Sequence, residues 1–319
     1  MSLSSTTNTP EAGSMDSAMD KKQALDKELS PLLNQIPLLA NRLDIYELPG
    51  GITNRNIAVT TAARKYVVRI SGKNSSLLNI ERRAEFENSK IAAAMSIGAP
   101  VYEFRPDLGI LVIGFIDGRT FGESDIAANL DRVAAAVKQL HASPAFSRDF
   151  DMFDVQKSYL KVVQDRDLVI PEGYFDYAEK FEAIRVALNA HPQPKVACNN
   201  DLLPANFIDS GKHLWLIDYE YAGNNDACFE LGNIWSEAML EYPQLVELVR
   251  HYYGGDRPEM VHRAWLQAAV ARYGWTLWGS IQNSISSIEF DFLGWGLERF
   301  NKAKDAFDSP LFEEALNNL

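Results

Sequence analysis

Between Cys198 and Glu220 the chain reads C-N-N-D-L-L-P-A-N-F and then, after an apolar run, I-D-Y-E. Asp201 and Asn206 form D-x-x-x-x-N, and Asp218 closes the apolar run that follows. Two short strands around a turn would carry all three side chains to one edge. Phosphoryl transfer from a nucleoside triphosphate asks for these groups at about this spacing. One Asp accepts the proton of the attacking hydroxyl, and an Asn and a second Asp hold the metal ions. Read without context, the same residues describe a β-hairpin with a Pro-Ala-Asn turn and a surface Asp.

The rest of the chain narrows the classes. Its 319 residues and 46% hydrophobic content suffice for one large or two ordinary domains with a full core. A net charge of −12, spread along the chain, argues against a broad nucleic-acid surface. It serves solubility and could also favour a cationic substrate. Cys198 and Cys228 form no C-x-x-C pair, so neither a disulfide framework nor a zinc site is indicated. A reducing, cytoplasmic setting fits. The histidines show no metal-ligand spacing. No run is apolar for long enough to span a bilayer, so no membrane partner is expected.

Residues 1–20, rich in Ser, Thr, Asn, Ala and Met, read as a disordered tail. Over 21–116 the pattern is a small lobe of strands. Residues 55–61 and 65–70 form a hairpin, a helix over 79–97 follows, and strands come near 100–104 and 110–116. Over 117–319 the pattern is mainly helical. Thr120 and Glu123 resemble a capping box that opens a helix running to about 141. A hairpin over 205–218 is embedded among helices over 173–190, 226–253, 258–286 and 290–307. The fold class is therefore α+β: a small antiparallel sheet carrying one helix, then a larger helical lobe, with a ligand cleft between them.

Gly50-Gly51-Ile52-Thr53-Asn54 sits between two strands, where glycines let the backbone approach a phosphate and Thr53 and Asn54 add donors. It is not a G-x-x-x-x-G-K-[ST] loop, and a plain hairpin turn accounts for it equally. Arg69, in V-V-R-I, is a cation among apolar neighbours. Such a charge needs a partner, for which Glu85 is the candidate, and a guanidinium can hold phosphate oxygens. An ordinary salt bridge is the alternative. Glu230 and Glu237 are seven apart on one helix and share a face. Trp275 and Trp278 are three apart on the next long helix. Trp295 lies on the last helix, with Asp291 before it and Arg299 one turn after. Aromatic faces can surround a quaternary ammonium, although tryptophans at such spacing more often pack a core.

Taken in order, these stretches resemble the choline/ethanolamine kinases, within the wider aminoglycoside-phosphotransferase and protein-kinase-like group. The likeness runs over about residues 45–300 and includes Ile80–Glu85 and Phe115-Ile116-Asp117-Gly118-Arg119-Thr120. The resemblance implies a two-lobed protein-kinase-like fold and Mg-ATP-dependent phosphorylation of a small alcohol. It implies Asp201 as the catalytic residue and Asn206 and Asp218 as magnesium ligands. Gly51, Thr53, Asn54, Arg69 and Glu85 would serve the ATP phosphates. Glu220, Glu237, Tyr242, Trp275, Trp278 and Trp295 would line the acceptor site. The expected partners are ATP and choline. Ethanolamine, another amino alcohol or an aminoglycoside is the alternative acceptor. The chain departs from the family in two places. Asn199 stands where H-N-D is usual, which leaves open a weak or inactive nucleotide-binding homologue. Glu230 stands where Asp is more frequent, a change expected to alter the acceptor pocket.

Overall fold

The computed structural model describes residues 12–72 and 74–319. Five antiparallel strands form the first sheet: β1 (Arg42–Glu47), β2 (Asn54–Thr61), β3 (Lys65–Ser71), β4 (Val101–Arg105) and β5 (Ile110–Gly114). Their order is β1-β2-β3-β5-β4. The β2–β3 hairpin pairs Asn54 with Ser71 and Thr60 with Lys65. Its turn is held by the Thr61 hydroxyl, which accepts from the amides of Ala63 and Arg64. The central strand β3 is covered on both faces. Tyr66 and Val68 point into an apolar layer, while Val67 and Arg69 face the cleft.

That apolar layer is closed by a helix not anticipated from the sequence, α1 (Ala12–Leu33). Leu29, Leu33, Ile36 and Leu39 pack on Ile45, Ile57, Val59 and Val112. The sheet thus carries two helices. Of the expected tail, residues 1–11 lie outside the described residues. Residues 12–20 form the start of α1. The second helix, α2 (Arg82–Ala94), turns Glu85, Asn88 and Ala92 inward. Asn88 Nδ2 donates to the Ala222 carbonyl at 2.9 Å, and its Oδ1 accepts from the Ser147 amide, tying the sheet layer to the helical part.

A two-residue strand β6 (Arg119–Thr120) follows, so Thr120 caps no helix. The cap is two residues later, at Gly122. The Asp125 carboxylate accepts from the Gly122 amide and opens α3 (Glu123–Ala128), and Asn129 separates α3 from α4 (Leu130–His141). Then come α5 (Met152–Asp165), α6 (Ala178–Ala190), β7 (Lys195–Cys198), β8 (Phe207–Asp209), β9 (Leu214–Leu216) and β10 (Gly223–Asp226). Strand β8 pairs with β6 and β9, and β7 pairs with β10.

The expected helix over 226–253 is two helices, α7 (Ala227–Glu237) and α8 (Tyr242–Tyr253). Met239 turns left-handed between them (φ 51°), and Pro243 fits only the first turn of a new helix. The long helix α9 (Pro258–Ile285) is buried all round and forms the axis of the helical part. It is flanked by α10 (Phe292–Phe307) and α11 (Leu311–Asn317). No helix among the described residues is long and apolar enough to cross a membrane.

Candidate active site

The sheet and the helical part enclose a cleft of about 350 Å³. Its roof is the turn between β1 and β2. Gly50 takes φ +95°, and a Cβ on Gly51 would stand 2.2 Å from the Asn54 carbonyl oxygen, so only glycine fits there. The loop is held down at two points. Gln282 Nε2 on α9 donates to the Ile52 carbonyl at 3.2 Å, and Asn54 Nδ2 donates to Glu220 Oε2 at 2.8 Å.

Below this loop lies a buried charge network. Arg69 has a carboxylate beside every nitrogen, although its Nε makes no hydrogen bond. Its Nε meets Glu85 at 3.2 Å, Nη1 meets Asp218 at 2.8 Å and Nη2 meets Glu220 at 3.3 Å. A phosphate could reach this guanidinium only by displacing one of those carboxylates. Arg82 adds a second cation. Its Nη1 lies 2.8 Å from Glu85 and 3.2 Å from Glu220, and its Nη2 donates to Asn54 Oδ1 at 3.0 Å. Two guanidiniums therefore face the three carboxylates of Glu85, Asp218 and Glu220. Burial and the Asp218 charge push Glu220 up to about 7, against the pull of Arg69 and Arg82.

The floor is the segment after β7. Asn199 Oδ1 accepts from the Asp201 amide at 3.1 Å, and its Nδ2 donates to the carbonyls of Ile217 and Asp218 at 3.1 and 2.9 Å. Asn200 is left-handed (φ 69°), a conformation that Asn tolerates better than most residues. Its buried amide donates to Cys198, Tyr221 and Gly223 carbonyls, stapling the two site segments together. Asp218 is also left-handed (φ 64°). Asn206 Nδ2 donates to the Asp201 carbonyl at 2.7 Å. Burial, then Asp218, Glu220 and Glu237, hold the Asp201 carboxyl well above the usual range, with Arg299 opposing.

The far end of the cleft is aromatic. Trp278 Nε1 donates to the Tyr221 hydroxyl at 2.9 Å, and Trp275 meets the Tyr221 ring edge-on at 4.8 Å. Trp295 lies 4.8 Å from Trp278. Glu237, at the end of α7, pairs with Arg299 at 2.6 Å.

The cleft thus gathers Gly51, Thr53, Asn54, Arg69, Asp201, Asn206, Asp218, Glu220, Glu237, Trp275, Trp278 and Trp295, with Glu85 just behind Arg69. Glu220 stands with the loop and the arginines rather than among the tryptophans. Tyr242 does not line the cleft. The helix break at Met239 carries it to the start of α8, where it packs half-buried on the core. Glu230 lines no part of the cleft either. It is fully buried, accepts from the Asn199 amide and meets His141 Nε2 at 3.2 Å. Its extra methylene therefore touches the Asn199 segment rather than the acceptor end. Sequence reasoning missed Arg82 and Tyr221, both next to residues it had singled out, and gave Arg299 no role.

Comparison with known proteins bears on the fold and the family. The family pattern described as choline/ethanolamine kinase matches residues 45–251. Ethanolamine kinase 2 of Mus musculus is 29% identical, over 79% of this chain and 73% of its own length. Protein LicA of Haemophilus influenzae is 25% identical, over 73% and 72%. A solved choline/ethanolamine kinase family protein from Mesorhizobium loti superposes with a TM-score of 0.80 at 31% identity, covering 92% of this chain and 98% of its own. The choline kinase LicA of Streptococcus pneumoniae (TM-score 0.75, 23% identity, 91% and 99% covered) and an aminoglycoside phosphotransferase (0.61, 15%, 85% and 96%) share the fold. The two-lobed kinase-like fold and the matched residues together make this chain a member of the choline/ethanolamine kinase family, an ATP-dependent kinase of small molecules.

Proposed function

We propose that the protein transfers the γ-phosphoryl group of ATP to the hydroxyl of choline. One observation carries the choice of acceptor: Tyr221, Trp275, Trp278 and Trp295 wall the same cleft as Asp201. A trimethylammonium group prefers aromatic faces, whereas a primary amine asks for several carboxylate or carbonyl acceptors.

In this reading the Gly50–Asn54 loop covers the nucleotide phosphates, and Arg69 and Arg82 fix Asp218, Glu220 and Asn54 around them. Asn206 and Asp218 would hold magnesium. Their oxygens are the donors a hard cation takes, and they line the same cleft as the carboxyls of Asp201 and Glu220. When bound, magnesium supplies neutralisation of the phosphate charge. Asp201 orients the acceptor hydroxyl and takes its proton as the oxygen–phosphorus bond forms and the bond to the ADP oxygen breaks. Positioning and charge provide most of the rate. Asn199 takes over loop organisation through its bonds to the Asp201 amide and to the Ile217 and Asp218 carbonyls. That favours an active enzyme over an inert homologue.

The test is ADP release from Mg-ATP with choline, ethanolamine and an aminoglycoside. Choline should be the preferred acceptor. Asp201→Ala should lower turnover by about a thousandfold while nucleotide binding survives. Undiminished turnover in that variant, or a clear preference for ethanolamine, would overturn the assignment.

A further inference from the structure

We propose that the guanidinium of Arg299 occupies the place an acceptor's ammonium takes, and that Arg299 thereby sets the selectivity of the pocket. The inference rests on the reading of the acceptor end given above.

Trp295 and Arg299 are one turn apart on α10, so their side chains share a face. The Arg299 Cζ sits 3.4 Å above the Trp295 ring, and Nη2 lies 2.6 Å from the Glu237 carboxylate. An aromatic face and a carboxylate side by side are what a quaternary ammonium seeks, and here a resident cation already holds both. Both ion-pair partners are about nine-tenths covered, at 11% side-chain exposure each. The hold is partial, for Arg299 Nε is buried without a hydrogen-bond partner. The neighbouring cation, Arg272 on α9, donates instead to Ser236 Oγ at 2.7 Å and lies over Trp235, away from the tryptophan wall.

A cationic acceptor therefore has two courses. It displaces Arg299 from Trp295, or it sits on Trp275 and Trp278 beside a carboxylate that is already neutralised. Either way Glu237 adds little to its binding while Arg299 is in place. Removing the guanidinium exposes the Trp295 face and frees the carboxylate. Both gains favour a charged ligand, the carboxylate through its charge and the ring through cation–π attraction.

The experiment measures calorimetric binding of choline and of its uncharged tert-butyl isostere to the full chain with Mg-ADP. In Arg299→Ala, choline should bind about tenfold tighter and the choline-to-isostere preference should rise about as much, from the freed charge and ring. Arg299→Gln, which keeps most of the side chain's bulk without its charge, should show the same rise in preference and guards against loss of folding. In Arg299→Ala/Glu237→Gln the preference should fall back toward the wild-type value by the carboxylate's share. An unchanged or lower preference in both single variants overturns the inference while leaving choline as the acceptor. If wild-type protein binds neither ligand, the acceptor assignment fails first and takes this inference with it.

Discussion

The Asn199 amide donates to both carboxylate oxygens of Glu230, at 3.1 and 2.9 Å. One oxygen of Glu230 also meets His141 Nε2, and His141 Nδ1 lies 2.8 Å from the Tyr252 hydroxyl. A fully buried carboxylate on α7 therefore carries the backbone of the segment that ends in Asp201. Glu230→Ala strands the buried Asn199 amide and leaves His141 Nε2 only the Cys198 sulfur, and should cost about 3 kcal/mol. Urea unfolding measures it. A loss under about 0.5 kcal/mol would show that water replaces the carboxylate.

Arg82 joins Glu85, Glu220 and Asn54, so it links α2 to the roof loop and to the segment after Asp218. Arg82→Ala leaves the buried Glu220 with one guanidinium instead of two. The expected result is a rise in the KM for ATP of about tenfold, with the KM for the acceptor little changed. Equal rises in both constants would mean that the network supports the whole cleft rather than its phosphate end.

Gly51 has no room for a side chain. The first carbon of Ala would stand 2.2 Å from the Asn54 carbonyl oxygen, which belongs to the residue that bonds Glu220. Gly51→Ala should displace the roof and weaken ATP binding about tenfold with little loss of melting temperature, since only Ile52 of the loop touches a core and it is only partly buried. A variant with wild-type ATP affinity would show that the loop covers no phosphate.

Glu220 binds its proton more tightly folded than unfolded. Its folded value is about 7, against an ordinary 4.5. Such a group stabilises the fold at low pH and loses that contribution as pH rises between the two values. Above that window the empty cleft holds more negative charge than its arginines offset. Mg-ADP should accordingly raise the melting temperature more at about pH 8 than at about pH 5.5, and Glu220→Gln should narrow the gap. Equal shifts at both pH values would count against the electrostatic reading.

The elements that position the site were legible where local pattern and fold agree. Alternation marked β2 and β3, a long apolar pattern ended by Ser286 marked α9, and the D-x-x-x-x-N spacing led to a floor on which Asp201, Asn206 and Asp218 do converge. What escaped depends on long-range packing. Helix α1 reads as polar and weakly amphipathic by itself, and only the back of the sheet gives Leu29 and Leu33 their place. Glu230 and Glu237 share a periodicity, yet α7 is buried nearly throughout, so its two ends meet different neighbours: His141 at one, Arg299 at the other. Tyr242 entered through the family resemblance, on a stretch expected to be one continuous helix, and a single left-handed residue, Met239, sends it elsewhere.

The bond from Gln282 to the Ile52 carbonyl has a consequence for how this enzyme can change. Trp275, Trp278 and Gln282 lie within two turns of one helix, so the wall of the acceptor end and the anchor of the nucleotide roof are one rigid body. Substitutions that retilt this helix to admit a larger alcohol will pull on the roof as well. New acceptor specificity gained by that route carries altered nucleotide affinity with it, whereas changes on α10, at Trp295 or Arg299, leave the roof alone. The helix that does not hold the loop is the freer ground for divergence.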